Sequence, residues 1–225
     1  MSSNFKPLIA LNLKAYPEST GEKGLKLCET AAMVSMLSGV RIVACPDATL
    51  LREAVKIGGE IFAQEVSGFE AGAKTGWTTA AQLAEAGVKG SLVNHSEHRV
   101  EQEAIGNAIQ QLEANKLESM VCAKDAAESA LLAKLKPTFV AVEPPELIGS
   151  GISISTAKPE VVTKSVELVR GLNPDVGIIC GAGVSTAADV KKAFELGVDG
   201  VLVASAYVKA MDPKKLLEDM ASQIK

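Results

Sequence analysis

The chain has 225 residues, a size that suits one closed α/β barrel or two small domains. Hydrophobic residues make up 47% of the sequence, so a sizeable core can form, whereas aromatic residues make up only 4%. The formal net charge of −4 argues against a surface for nucleic acid or for an anionic membrane, and no apolar run has the length of a membrane span.

Eight apolar runs of strand length recur along the chain, and they are continuous rather than alternating. Continuous apolar runs are typical of parallel strands that are covered on both faces. The predicted strands are Leu8–Leu11, Val40–Ala44, Ile61–Gln64, Gly90–Val93, Ser119–Ala123, Phe139–Val142, Gly177–Cys180 and Val201–Ala204.

The segments between these runs carry apolar residues at the spacing of amphipathic helices. The predicted helices are Gly24–Leu37, Ala48–Ile57, Thr78–Ala86, Glu97–Leu112, Ala126–Leu135, Pro159–Leu172, Thr186–Leu196 and Pro213–Ile224. Residues suited to N-caps are Asp47, Ser96, Ser185 and Asp212, residues suited to helix ends are Gly39, Gly58, Gly87, Gly171 and Gly197, and Pro159 and Pro213 suit a first turn.

Strands and helices alternate without a break in composition or a low-complexity linker, which predicts a single domain over residues 1–225. The alternating order favours a (β/α)₈ barrel, a TIM barrel. An open doubly wound sheet is the alternative. However, the Gly-Ala-Gly-Val at 181–184 does not complete the Gly-x-Gly-x-x-Gly pattern of a dinucleotide site.

The cysteines and histidines indicate the compartment and argue against a metal centre. The four cysteines, at 28, 45, 122 and 180, form no Cys-x-x-Cys pair. We therefore expect buried thiols in a reducing compartment, and a cytoplasmic protein without a signal peptide or membrane anchor. Because His95 and His98 are the only histidines, we expect no metal site.

In a barrel, reactive residues are expected at the carboxyl ends of the strands. Asn12 and Lys14 follow the first predicted strand, and His95 and Glu97 follow the fourth. Lys14 could steer an anionic substrate and stabilise an oxyanion, although a lone lysine after a strand is usually only solvated. A helix start capped by Ser96 would disfavour a second proton on His95, so its neutral imidazole could polarise a carbonyl. The alternative for His95 is a hydrogen bond to the local backbone only.

Glu143 ends the sixth predicted strand, and an unusual segment follows it. Pro144 and Pro145 stiffen the backbone, an apolar pair including Ile148 comes next, and Gly149 begins a flexible end. This pattern predicts a carboxylate base beneath a lid over residues 144–151. The alternative is a Pro/Gly-rich connector with a solvated carboxylate.

Small residues follow the seventh and eighth predicted strands, where barrels of this kind often bind phosphate through backbone amides. Gly183, Ala204 and Ser205 are the candidates, and Gly149 could add another amide. The alternative is that these positions only permit tight turns. Together with a base, a neutral electrophile and a cation, a phosphate site predicts proton abstraction beside the carbonyl of a small phosphorylated sugar.

The motifs resemble those of the triosephosphate isomerase family over essentially the whole chain. The matching stretches are Asn12–Lys14, Asn94–Arg99, Val142–Pro145, Ile148–Gly151, Cys180–Val184 and Leu202–Ser205. The resemblance implies cofactor-free interconversion of dihydroxyacetone phosphate and glyceraldehyde 3-phosphate, a step of glycolysis and gluconeogenesis. It implies Glu143 as base, neutral His95 as electrophile, and Asn12 and Lys14 as substrate contacts. It also implies lid or phosphate contacts at Ile148, Gly149, Gly183, Ala204 and Ser205, with Glu97 in a supporting role.

The sequence departs from the longer family members. The lid reads Pro145-Glu146-Leu147 where the familiar bacterial and eukaryotic lid carries a tryptophan, and Tyr-Gly-Gly-Ser after the seventh strand is absent. The chain is therefore similar to the shorter archaeal branch. Members are homodimers or homotetramers, and Trp77 falls in a loop that in the family reaches the partner. Another phosphate-binding barrel, such as a sugar-phosphate epimerase, and a non-catalytic phosphate-ester-binding barrel stay open as alternatives.

Overall fold

A computed structural model describes residues 5–147 and 153–224. Its strands pair in parallel and in chain order, and the last strand pairs with the first to close a barrel. The strands are β1 Leu8–Asn12, β2 Arg41–Cys45, β3 Glu60–Ala63, β4 Gly90–Val93, β5 Glu118–Ala123, β6 Phe139–Val142, β7 Gly177–Cys180 and β8 Gly200–Val203. The prediction of a TIM barrel is confirmed, and the alternative of an open doubly wound sheet is wrong.

Helices surround the barrel and connect its strands. They are α1 Glu22–Ser38, α2 Leu51–Ile57, α3 Ala80–Glu85, α4 Gln102–Ala114, α5 Ala126–Ala133, α6 Ile154–Ala157, α7 Pro159–Leu172, α8 Ala187–Glu195, α9 Ser205–Val208 and α10 Pro213–Ala221, with 3₁₀ turns at Pro17–Ser19 and Pro145–Leu147. Within the two described ranges, none of the helices is long and apolar enough to cross a membrane.

The strands are buried on both faces, which explains their continuous apolar sequence. Successive side chains alternate between the inside of the barrel and the layer beneath the helices. Phe62, Met120 and Phe139 belong to the cluster that fills the barrel, so its interior is a packed core rather than a pore. At the amino end of the strands, Arg41 donates to Glu60 (Nη2–Oε2, 2.6 Å) and to Glu118.

Two predicted helix starts are wrong by several residues, because local hydrogen bonds satisfy the backbone outside a helix. Asp47 accepts the amide of Thr49 at 2.9 Å, and α2 begins only at Leu51. Ser96 is not an N-cap, because a turn joins the His98 amide to the His95 carbonyl (2.8 Å) and α4 begins only at Gln102.

At two other helix starts the predicted and observed N-caps can be compared directly. The N-cap of α8 is Thr186, which forms a capping box with Asp189, rather than the predicted Ser185. The predicted cap Asp212 is confirmed, since its carboxylate accepts the amide of Lys215 at 2.9 Å.

Glycine ends α1 as predicted but does not end α7. Gly39 caps α1 in the left-handed conformation, with φ of 71°, and its amide donates to the Ser35 carbonyl. Gly171 instead lies inside α7, which continues to Leu172. A β-carbon at either position would meet no atom within 4 Å, so only backbone conformation distinguishes these two glycines.

We expect Gly39→Ala and Gly171→Ala to change stability in opposite directions. Alanine at 39 must adopt the left-handed conformation, which should lower the free energy of unfolding by roughly 1–2 kcal/mol. Alanine at 171 removes a glycine from the last turn of α7, which should raise the free energy of unfolding by up to about 0.5–1 kcal/mol. Urea denaturation of both variants beside the wild type measures the two effects, and equal shifts would contradict the observed end of α7.

Candidate active site

Most of the predicted site residues meet in one cleft at the carboxyl end of the barrel. The cleft is lined by Asn12, Lys14, His95, Glu143, Gly181, Gly183, Val184, Ser185, Leu202, Ala204 and Ser205. Glu97 is not among the residues that line the cleft, but it is paired with Lys14, which is. Ile148 and Gly149 lie outside the described residues. Gly181, Val184 and Leu202 were not predicted as site residues, and Ser185 was predicted only as a helix cap.

Lys14 is held in an unusual backbone conformation by amide side chains on both sides. Its φ is 50°, in the left-handed region that non-glycine residues rarely adopt. Its amide donates to Oδ1 of Asn12 at 3.0 Å, and its carbonyl accepts from Nε2 of Gln64 at 3.0 Å. Gln64 also donates to the carbonyl of Cys45 at 2.9 Å. Gln64, for which the sequence suggested no role, therefore fixes the peptide of Lys14.

The ammonium group of Lys14 is shielded from solvent and is paired with Glu97. The side chain of Lys14 is only 11% exposed, and its Nζ lies 2.7 Å from Oε1 of Glu97. The other carboxylate oxygen of Glu97 lies 3.7 Å from Nδ1 of His95. Lys14 is thus not a freely solvated lysine, and Glu97 contacts both the cation and the imidazole.

His95 is buried, and its hydrogen bonds assign the position of its proton. Nδ1 accepts the backbone amide of Glu97 at 3.2 Å, so in the neutral ring the proton lies on Nε2. Burial lowers the pKa of His95 below its ordinary value, and the positive charge of Lys14 lowers it further, while Glu97 opposes both. The lowered pKa of His95 thus results from burial and from the charge of Lys14. The cause that the sequence predicted, a helix start at Ser96, is absent, because α4 begins only at Gln102.

Asn94 orients the loop that carries His95. It has a left-handed φ of 61°, which asparagine tolerates better than most residues. Its Nδ2 donates to the carbonyl of Cys122 on β5 at 3.0 Å, and its Oδ1 accepts the amide of Val100 at 3.2 Å. These bonds link the end of β4 to the neighbouring strand and to the rest of the loop.

Glu143 places a buried carboxylate opposite His95. Its Oε2 lies 3.7 Å from Nε2 of His95, and among the described residues it is the buried side-chain polar atom without a hydrogen-bond partner. Burial raises the pKa of Glu143 to about 7, although the hydrogen bond from Cys122 and the charge of Lys14 act in the opposite direction. A solvated connector would not bury this group, so that interpretation of the segment is wrong at Glu143.

Gly181 provides the space that Glu143 occupies. A β-carbon at position 181 would collide with the Cγ atom of Glu143. Any side chain at position 181 would therefore displace the carboxylate from its place beside His95.

Short turns after β7 and β8 also line the cleft. Gly183 adopts a left-handed φ of 69°, and its carbonyl accepts the hydroxyl of Ser185 at 2.8 Å. Ala204 and Ser205 follow β8 directly, and Ser205 begins α9. Small residues at these positions let a ligand approach the backbone closely.

In the described parts of the chain, neither a disulfide nor a cluster of metal-binding side chains is found near the cleft. The four cysteines are free and buried. In residues 5–147 and 153–224, no group of three or more His, Cys, Asp or Glu side chains is placed to hold a metal ion. The arrangement thus offers a buried carboxylate, a neutral imidazole and an ammonium group around one small space.

Comparisons with known proteins point to one family. The family model described as triosephosphate isomerase matches residues 7–221. The chain is 48% identical over 222 residues to the triosephosphate isomerase of Methanothermus fervidus, covering 97% of this chain and 99% of that protein. It is 45% identical over 219 residues to the triosephosphate isomerase of Methanobacterium bryantii, covering 97% of each.

A solved structure with the same fold is more distant in sequence. The crystal structure of triosephosphate isomerase from Bartonella henselae matches with a TM-score of 0.76 at 20% identity, covering 95% of this chain and 98% of that one. The closed barrel is thus shared with a protein whose sequence differs at most positions.

We expect Glu143→Gln to stabilise the protein in a pH-dependent way. Because the pKa of Glu143 is raised from 4.5 to about 7 in the folded state, stability is highest below the unfolded pKa and is lost as pH rises through 7. Glutamine avoids this loss. The difference in free energy of unfolding between variant and wild type should therefore grow by on the order of 3 kcal/mol from about pH 4 to pH 8.

Urea denaturation at the two pH values measures this difference. Glu85→Gln, which removes an exposed carboxylate from α3, serves as the matched control. A difference of the same size at both pH values would contradict the raised pKa of Glu143.

Proposed function

Because the chain belongs to the triosephosphate isomerase family, whose members interconvert triose phosphates, we propose that the cleft around Glu143, His95 and Lys14 is its active site. The family membership favours isomerisation over the two alternatives of an epimerase-like barrel and a non-catalytic phosphate-binding barrel. We further propose that residues 1–225 form one catalytic domain, and that the substrates are dihydroxyacetone phosphate and glyceraldehyde 3-phosphate.

The observation that carries the proposal is the buried carboxylate of Glu143, whose Oε2 has no hydrogen-bond partner among the described residues and faces the ring of His95. A base whose pKa lies near 7 combines an available ionised form with a strong tendency to take a proton. In the proposed reaction, Glu143 removes a proton from the carbon beside the carbonyl and returns it to the neighbouring carbon. The product is the isomeric triose phosphate.

His95 and Lys14 stabilise the enediolate between the two proton transfers. The Nε2 proton of His95 faces the cleft, because Nδ1 is occupied by the amide of Glu97. His95 can therefore donate to the oxygens of the intermediate and pass the hydroxyl proton from one oxygen to the other. Lys14 neutralises the developing negative charge. One proton moves from a carbon to the neighbouring carbon through Glu143, and one moves from oxygen to oxygen through His95, so the reaction needs neither an oxidant nor a cofactor.

We assign the phosphate group to the turns after β7 and β8. Gly183, Ala204 and Ser205 line the same cleft as Glu143, and backbone amides in such turns bind phosphate. Asn12 and Lys14 also line this cleft and would contact the substrate. The lid over residues 144–151, with Ile148 and Gly149, stays part of the proposal, and its first turn, Pro145–Leu147, directly follows Pro144.

The decisive experiment is a coupled assay with glyceraldehyde 3-phosphate in the presence of EDTA. Wild-type protein should turn over the substrate, and Glu143→Gln should lower kcat by several orders of magnitude while substrate affinity changes much less. Glu85→Gln again serves as the matched control and should leave kcat unchanged. Unchanged turnover in Glu143→Gln would remove Glu143 as the base.

We also propose a cytoplasmic homodimer or homotetramer. A cavity of about 390 Å³ opens beside the active site and is lined partly by Phe69, Trp77 and Val100. Trp77 is 53% exposed and packs edge-on against Phe69, with ring centroids 5.0 Å apart. An exposed aromatic pair beside an apolar cavity suits a protein partner, and a second copy of this chain would supply one. His95 lines this cavity as well, so a bound partner would border the active site.

Sedimentation analysis tests this assembly. We expect a mass of two or four times 23.4 kDa for the wild type and weaker association for Trp77→Ala. Leu172→Ala, which shortens an exposed apolar side chain on α7 outside this cavity, is the matched control. A monomeric wild type at micromolar concentration would contradict the proposal.

A further inference from the structure

The segment that begins at Ser153 is hydrogen-bonded to the turn after β7. The amide of Ile154 donates to the carbonyl of Ala182 at 3.0 Å. Ile154 is fully buried, and Ala182 is almost fully buried. The start of α6 is therefore fixed against the residue that precedes Gly183, at the proposed phosphate end of the cleft.

Two buried serines extend this connection in a single direction. The hydroxyls of Ser153 and Ser155 lie 2.8 Å apart, and the Ser155 hydroxyl donates to the carbonyl of Asp189 at 3.2 Å. Because the Ser155 proton is used on Asp189, the Ser153 hydroxyl donates to Ser155. Ser155 is fully buried and Ser153 nearly so, which means that water does not compete for these bonds.

Asp189 is also hydrogen-bonded to the turn that lines the cleft. Its Oδ2 accepts the backbone amides of Ser185 and Thr186, at 3.0 and 2.9 Å. Ser185 in turn donates its hydroxyl to the carbonyl of Gly183 at 2.8 Å. The turn Gly183–Ser185 is therefore held by Asp189 of α8, and Ser155 of α6 in turn binds the carbonyl of that same Asp189.

We propose that Ser155 is a positioning residue that fixes the Gly183–Ser185 turn for binding the substrate's phosphate group. Ser155 does not line the cleft and touches no reacting atom. It acts through Asp189, whose carbonyl it binds while the carboxylate of the same residue holds the turn. The proposal rests on the proposed function, in which Gly183 contacts the phosphate.

The physical reason lies in how backbone amides bind a phosphate group. Unlike a flexible lysine, an amide cannot follow the ligand, so the turn itself must be placed to within a fraction of an ångström. The left-handed Gly183 has the widest conformational freedom of any residue type, and external hydrogen bonds are needed to select one conformation. Loss of the Ser155 hydroxyl should therefore weaken the phosphate contacts while leaving Glu143 and His95 in place.

Substrates with and without a phosphate group separate this role from a merely structural one. For Ser155→Ala we expect kcat/KM for glyceraldehyde 3-phosphate to fall about tenfold, and the inhibition constant of inorganic phosphate to rise by a similar factor. The kcat/KM for glyceraldehyde, followed by NMR, should not change. Ser165→Ala is the matched control, because Ser165 is also fully buried and donates its hydroxyl within α7, to Val161. It should leave all three quantities unchanged.

Either an equal loss with both substrates or no loss with either would overturn the proposal. If Ser155→Ala does not fold, Asp189→Ala is measured by the same criteria, since it removes the acceptor of the Ser185 and Thr186 amides. Failure of the proposed function would look different, because the wild type itself would then not isomerise glyceraldehyde 3-phosphate.

Discussion

The structure depends on keeping one carboxylate away from water. Glu143 is buried at the end of β6, and Oε2 has no hydrogen-bond partner within the described parts of the chain. Isolating a carboxylate in this way is unfavourable in the absence of a ligand, and the cost appears as a raised pKa. The fold tolerates it because the packed barrel around it supplies far more favourable burial than one strained group removes.

The strand ends of the barrel bring the groups of the cleft together, and local backbone conformations after the strands orient their side chains. Lys14 and Asn94 both adopt left-handed conformations just after β1 and β4. At each position side-chain amides hold the backbone, Asn12 and Gln64 for Lys14, and its own side chain for Asn94. Regular strands give the approximate placement, and these irregular residues aim the ammonium group and the imidazole at the same space.

The sequence predicted the barrel well because strands that are buried on both faces are continuous apolar runs, as in Phe139–Val142. The sequence was a poorer guide to helix starts and to polar residues, because there the structure depends on individual hydrogen bonds, some of them to residues far away along the chain. The loop that carries His95 is held by Asn94, which accepts the Val100 amide and donates to the Cys122 carbonyl, and no sequence periodicity predicts these bonds. Gln64 had no assigned role because its partners lie far away along the chain. Ser185 is a residue type that often caps helices, so the sequence predicted it as an N-cap and not as part of the cleft lining.

The single positive charge of Lys14 affects two titrating groups in the same sense. It lowers the pKa of His95 and that of Glu143, and therefore favours an uncharged ring beside an ionised carboxylate. Without that charge both groups would bind hydrogen ions more tightly. The charge of Lys14 therefore adds to the effect of burial on His95 and partly offsets the effect of burial on Glu143. Lys14 thus influences the protonation of both groups as well as the attraction of the cleft for anions.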